Sequence, residues 1–525
     1  MSRKRKSINK ERAELVEKLD NYLTWLLLIS IGVVPLLVRG KVIDFTAPRI
    51  IDTVLNTGLQ TDLFTYYKWV FLILMAMGVL LLIVYKIIAG NFNISPSYIN
   101  IPLLLLVIFI LISLLTAEYK DMALIGLYKQ RNGTLANLAF LALFFAAANT
   151  VFKERIKLLI NAALSIFVLI NLTIILFHFF GHDIFSYESV RALLIPADYM
   201  NNSNIRGEIW ATLEHPNYIS GLAAALFAYF FTFFILQREL KYKLFYLLVS
   251  LFSFTIILAS LSSSGFFALM AVSPLLVAIV FLSNDKKKAM IAGVLNLGLC
   301  LVIFLGMNAY NPRVFDESFG FTKQVLESSR QVITDWESPI AKAIDFSIRP
   351  VYAAESPAPA MADNTTDLTG SASIDDSFQL PAPGMGAGTG RLYIWKGTLK
   401  LIAAKPLTGY GLDTLAYYFP QNDINQIAEL GTYQVVTTKP HNMYLDIAYG
   451  SGIPALLALL TLFVMHFYHT AKRLLTLKNS DAVVFPAALF LFFCTFAIQW
   501  LVNDPVIGAA AIFWPLMGVG VALNK

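Results

Sequence analysis

Apolar residues run through this chain in long continuous blocks, not in short alternating stretches. Twelve blocks can be marked, at roughly 22–38, 68–89, 99–116, 133–152, 157–179, 217–236, 244–262, 265–282, 290–309, 442–466, 483–501 and 506–522. Each is about 17–25 residues long, the length an α-helix needs to cross a hydrocarbon core of roughly 30 Å. A lipid-exposed backbone must satisfy its own hydrogen bonds, and the blocks lack the alternation of barrel strands, so helices are expected. The pattern predicts an all-α, polytopic membrane helix bundle of about twelve transmembrane helices.

The polar segments between the blocks are unequal. An even number of spans puts both termini on one side. The segments on that side carry 21 of the 40 Lys and Arg residues, the short loops opposite carry nine and the long 310–441 segment ten. Short basic loops mark the cytoplasmic face. The expected organisation is a basic cytoplasmic N-terminus at 1–21, spans one to nine over 22–309, an extracytoplasmic loop at 310–441, and spans ten to twelve over 442–525. Between Pro350 and Gly390 that loop has no Lys or Arg and few large apolar residues. Such a stretch buries too little surface to offset ordering entropy, so 350–390 reads as a disordered insert. After it, Leu392, Trp395, Leu399 and Ile402 recur on one face of a helix. That helix either lies on the outer membrane surface with Trp395 at the interface, or packs on the bundle.

Composition narrows the class. The chain is 57% apolar and only 14% charged, with a mean hydropathy of +0.65, against about 25% charged in soluble domains. Soluble enzymes, disordered proteins and nucleic-acid binders are excluded. The net charge of +6 is accounted for by the basic loops. Cys300 and Cys494 both lie inside apolar blocks without metal-ligand spacing and read as packing residues. The basic start followed by an apolar run resembles a signal peptide, but the many later spans make it a first transmembrane helix.

No Walker loop, dinucleotide fingerprint, HExxH or GxSxG occurs, so no cofactor or metal is expected. The sparse polar residues at outer helix ends remain. His441 follows Pro440 where the long loop meets span ten; proline disfavours helix at Lys439 and so marks the start. A helix N-terminus opposes the imidazolium form, and a neutral imidazole suits a general base; a plain capping role is the alternative. Arg391 begins the amphipathic helix, as a headgroup anchor or a phosphate fork. Gly409-Tyr410-Gly411 makes a tight turn after it. Arg206 and Arg131 are further outer arginines, and Glu214-His215-Pro216-Asn217 opens span six with His215 as a cap. His178, His182, His466 and His469 show no partner pattern.

Taken in order, these pieces resemble the O-antigen ligase / O-antigen polymerase superfamily of bacterial membrane glycan transferases. The family's Gly-Arg-x-x-x-Trp element is matched by Gly390-Arg391 through Trp395, and its Pro-Leu-x-Gly-x-Gly element by Pro406-Leu407-Thr408-Gly409-Tyr410-Gly411. His-Asn-x-x-Leu with a later glycine is matched by His441-Asn442 through Leu445 with Gly452. Arg206-Gly207 with His215-Pro216-Asn217 is similar to the stretch before span six, and Gly126 through Gly133 to an outer loop of Gram-positive-type members. Two places depart. Ser262-Ser263-Ser264-Gly265 stands where the family often has Ser-Arg-Gly, so that phosphate contact is either lost or supplied by Arg206 or Arg131. Gly450 replaces a common acidic residue.

The resemblance implies transfer of a glycan from an undecaprenyl-diphosphate-linked donor to an acceptor hydroxyl of a lipid, protein or glycan, without metal and with inversion. It implies an active site on the extracytoplasmic face of the bacterial cytoplasmic membrane, among membrane lipids and with no nucleic-acid partner. His441 would be the catalytic base; Arg391, Arg206 and Arg131 would hold the diphosphate; Asn442, Gly409, Gly411 and Trp395 would support them. A polysaccharide polymerase or protein O-oligosaccharyltransferase shares these features, and a lipid-linked glycan flippase is the rival from another class.

Overall fold

The computed structural model describes residues 2–45, 58–92, 94, 96–196, 211–319, 381–384, 386, 390–421, 423–432, 435–477 and 480–524. Arg206 and the insert up to residue 380 lie outside the described residues. Each apolar block falls in a helix. These are α1 (Ser2–Gly32), α2 (Tyr66–Ile88), α3 (Asn100–Thr116), α4 (Thr134–Ala148), α5 (Ile156–Phe179) and α6 (Pro216–Leu236), then α7 (Leu240–Ala259), α8 (Ser263–Ala278), α9 (Lys286–Tyr310), α10 (Met443–Leu477), α11 (Val484–Gln499) and α12 (Ile507–Asn524). Among the described residues ten are long and apolar enough to span a membrane, α8 and α11 when extended by the turns that adjoin them (Ser263–Leu282 and Asp481–Gln499); α3 and α4, at 17 and 15 residues, are shorter. The protein is a polytopic helical membrane protein. One small exception to all-α is a hairpin of β1 (Lys41–Phe45) and β2 (Gly58–Asp62), antiparallel with Lys41 opposite Asp62.

Helix α1 starts twenty residues before its apolar block, so the basic N-terminus is not a separate tail. It continues one helix into the bundle, held by Lys153 to Glu17 at 2.8 Å and by the buried Lys86–Asp20 pair at 2.6 Å. Helix α6 is apolar all round, which makes it the interior element of a bundle. Its side chains from Ile219 to Leu236 are all buried, packed by α7, α8 and α11. Between lipid-immersed helices close van der Waals approach and buried hydrogen bonds replace the hydrophobic drive. A Cβ at Gly265 of α8 would stand 2.4 Å from Ser220 of α6, and Asn161 of α5 accepts from Tyr229 of α6 and donates to Tyr246 of α7.

Helix α10 is broken. Gly452 sits at φ +84°, ahead of Pro454, and the carbonyls released there are taken by another segment. Tyr410 N–H donates to Tyr449 O at 3.0 Å, Gly411 N–H to Gly450 O at 2.9 Å, and Ile453 N–H to Pro406 O at 2.7 Å; Ser113 Oγ also donates to Gly450 O. A broken helix is tolerated in a membrane protein when protein groups satisfy the freed backbone in this way. Methyl groups would not fit: a Cβ at Gly452 would lie 2.3 Å from Leu407 O, and one at Gly409 2.5 Å from the Gly450 carbonyl. Gly409 and Gly411, expected to support a ligand site, dock the 406–411 turn onto the break in α10.

The Arg391–Ala404 helix packs on α10. Its buried face is Ile394, Thr398 and Ile402, while Leu392 and Leu399 stay exposed. The face that packs on α10 is therefore the one bearing the isoleucines, against Leu415, Phe419 and Tyr449. The tail of the insert is not free either. Gly384 and Gly386 donate to the carbonyls of Ile427 and Glu429.

Candidate active site at the loop-bearing end of the bundle

Successive helices run in opposite directions, so the N-termini of α2, α6, α10 and α12 meet the 117–133 and 500–506 connections at one end. The basic 238–243 and 286–288 loops lie at the other. At the first end a strap, 435–440, leads into α10. Gln421 exchanges two hydrogen bonds with Thr437, and Gln130 donates to Thr438 at 2.7 Å. Trp395 Nε1 donates to Pro440 O at 2.8 Å. The tryptophan thus fastens its helix to the residue before His441.

Asn442 caps α10, its Oδ1 accepting from Tyr444 and Leu445 N–H at 3.0 Å each, while its amide donates to Leu501 O at 2.9 Å. Met443 N–H bonds Trp500 O. These bonds join the start of α10 to the α11–α12 connection, and they set His441 against Asp504. His441 holds φ +52°, a conformation uncommon for a residue with a side chain and found where tertiary contacts impose it. Its Nδ1 lies 2.7 Å from Asp504 Oδ2; the imidazole is 42% exposed and the carboxylate 2%. That separation brings the imidazole and the carboxylate into ion-pair contact. The helix field was the only influence on His441 visible in the sequence. The structure adds a buried carboxylate in direct contact with the ring.

Asp504 was missed in the sequence, as were Lys439 and Asp413. Lys439 Nζ is 3.0 Å from Asp413 Oδ1 and 3.3 Å from Asp446 Oδ2, all buried. Asp413 Oδ2 also accepts N–H bonds from Leu127 at 2.7 Å and Asn132 at 3.0 Å. The 406–411 turn therefore positions Asp413, which holds Lys439 two residues before the histidine. Burial pushes the Asp504 carboxyl up, but His441, Lys439 and Arg391 outweigh it and hold the group below its ordinary range. Burial acts against the Lys439 ammonium as well, and Asp413, Asp446 and Asp504 overcome it, raising the group above its usual value. The signal for Asp504 was available: it is the sole Asp, Glu, Lys, Arg or His between Asp481 and Lys525.

Arg391, half-buried, lies within electrostatic reach of Asp504 and Tyr218, on the same side as the histidine. Arg131 is placed differently. Its guanidinium sits over the Tyr66 ring at 4.9 Å and the Trp69 ring at 5.6 Å, with Nε 4.0 Å from Asp62. His215 caps α6, Nδ1 accepting Asn217 N–H at 3.1 Å. At the place of the family's arginine, Ser262 Oγ donates to Asn217 Oδ1 at 2.6 Å and Ser264 Oγ to Asn217 O at 2.9 Å, so hydroxyls there secure the α6 terminus. A cavity of about 400 Å³ adjoins the histidine pair, walled by Asp504, Lys439, Lys68, Tyr128, Glu214 and Tyr218 among others.

These features define a polytopic membrane protein with a histidine–carboxylate pair and a cationic flank at the end of a buried helix cluster. Residues 248–460 match the family model described as O-antigen ligase. That stretch holds Arg391, the glycine turn and His441, and over it the chain is similar to the O-antigen ligases. None of the curated proteins matches the chain.

Proposed function

We propose that this protein transfers a glycan from an undecaprenyl-diphosphate-linked donor to an acceptor hydroxyl at the extracytoplasmic membrane face. The observation that carries the reading is the 2.7 Å contact between His441 and buried Asp504, with Arg391 alongside. The acceptor hydroxyl gives its proton to His441 Nε2 as its oxygen attacks the anomeric carbon. The bond from that carbon to the diphosphate breaks, the electron pair leaves with the diphosphate, and the configuration inverts. Asp504 holds the imidazole in the reactive tautomer and stabilises the imidazolium as it forms. Arg391, with Arg206 as a second contact, binds the charge that grows on the diphosphate. Diphosphate is a good leaving group, so two arginines suffice without a metal. Arg131, held by its aromatic neighbours, would serve the diphosphate only at longer range.

The basic loops support a cytoplasmic position for the opposite end of the bundle, and a lipid diphosphate would meet the protein at outer helix ends. Purified protein in lipid nanodiscs, given lipid-linked donor and acceptor-bearing membranes, tests the reading. A new glycosidic bond is expected, lost in His441→Ala at unchanged protein level. Donor crossing a bilayer with no new bond would instead identify a flippase.

A further inference from the structure

The cavity next to the histidine pair extends to a second acid that the transfer chemistry does not use. Glu214 lines it, half-buried, at φ +71°. Its carboxylate has no hydrogen bond or ion pair with any described residue. Burial and the nearby Asp62 outweigh Lys129 and Lys68 and push the group up to about 7. Backbone strain, burial and a like charge all count against an acid here. Glutamine would fill the same space without the charge, so the fold itself gives no reason for it.

The rest of the lining says what would use such a group. Lys68 Nζ, buried, donates to Thr212 O at 2.5 Å, leaving its remaining N–H to other partners. Lys129, Lys439 and Asp504 add charges of both signs. An anion would meet Glu214 and Asp504, and a cation would meet the lysines. A neutral ligand rich in hydroxyls satisfies both, donating to the carboxylate and accepting from the ammonium. The rings of Tyr128 and Tyr218 supply the flat apolar surface that sugar C–H faces pack on. At 400 Å³ the space is near the lower end of the roughly 300–1,000 Å³ usual for small-molecule sites, room for about one or two pyranose rings.

We propose that this cavity is the acceptor subsite and that the acceptor ends in a neutral sugar ring, with Glu214 holding two neighbouring hydroxyls so that a third faces His441. This rests on the transfer reading and narrows it: the nucleophile is a sugar hydroxyl, not a serine or threonine.

Saturation-transfer NMR on the detergent-purified full chain tests it, with methyl glucoside, galactoside and mannoside as probes. At least one pyranoside should receive saturation from the protein, reduced several-fold in Glu214→Gln. The same variant should melt at a higher temperature than the parent at pH 8 and show no such gain at pH 5. The sign follows from the raised carboxyl: stability is lost as pH rises from the ordinary glutamate range to about 7 and stays lost above it, and an amide has no ionised form. Equal saturation in Glu214→Gln, no saturation of any pyranoside, or a lower melting temperature for the variant at pH 8 would each overturn the proposal. No donor or turnover is involved, so a negative result leaves the transfer reading standing, and a failed transfer assay leaves the binding result standing.

Discussion

Replacing Asp504 by Asn separates the carboxylate's charge from its shape. The side chain keeps its size in a site that is 2% exposed, and Lys439 keeps Asp413 and Asp446 as counter-charges, so the helix bundle should assemble. Two losses combine at His441. A charge-assisted contact contributes about 1.5–3 kcal/mol and a neutral one about 0.5–1.5 kcal/mol. The imidazolium formed in the reaction therefore loses on the order of 1–1.5 kcal/mol, close to tenfold in rate. In addition, the amide NH₂ can turn toward Nδ1, which moves the ring proton to Nε2 and removes the base; complete loss of general-base assistance costs about 10²–10⁴-fold. Transfer by Asp504→Asn should thus fall between about tenfold and 10⁴-fold at pH 7, measured as kcat/KM with lipid-linked donor in nanodiscs. Donor affinity, which depends on the arginines, should change far less. Stability offers a second readout. The lowered Asp504 carboxyl stabilises the fold above the ordinary carboxylate range, and that contribution is lost as pH falls through the folded value. The parent's advantage in melting temperature over Asp504→Asn should therefore shrink on acidification. Asp504→Asn protein with transfer within twofold of the parent would refute the assignment of His441 as an oriented base.

Other expectations follow from the same geometry. Arg391→Ala should raise the donor concentration required and slow transfer by about 2–4 kcal/mol of lost leaving-group stabilisation, with Arg391→Lys recovering only part because it lacks the planar fork; unchanged kinetics in the alanine variant would remove Arg391 from the site. Gly452→Ala should lower the melting temperature in detergent, by about 1–3 kcal/mol for the backbone strain alone, and should also reduce transfer, since the turn it displaces carries Asp413. Deleting 353–379, which spares the bonds of Gly384 and Gly386, should leave transfer within a few-fold, whereas total loss at normal membrane level would assign the insert a function.

Hydropathy alone determined the class of this protein and nearly all of its helices, because a block of apolar residues long enough to cross a bilayer has one main way to satisfy its backbone. The order of short motifs pointed to the family and to His441. What those motifs do was decided in three dimensions. The Gly-Tyr-Gly turn reads only as a tight turn until Gly452 breaks α10 and its carbonyls need partners. The sequence leaves the Trp395 helix open between the membrane surface and the bundle, and the structure adds the bond from its indole to Pro440 O. Arg131 reads as one more outer arginine, and the structure seats it over Tyr66 and Trp69. Asp504 lies 63 residues beyond His441, and no local periodicity connects them. Only the bonds of Asn442 and Met443 to the α11–α12 connection bring the two together. Helix formation is local and legible along the chain, whereas the pairing of charges depends on which helix ends meet, and that is settled by packing.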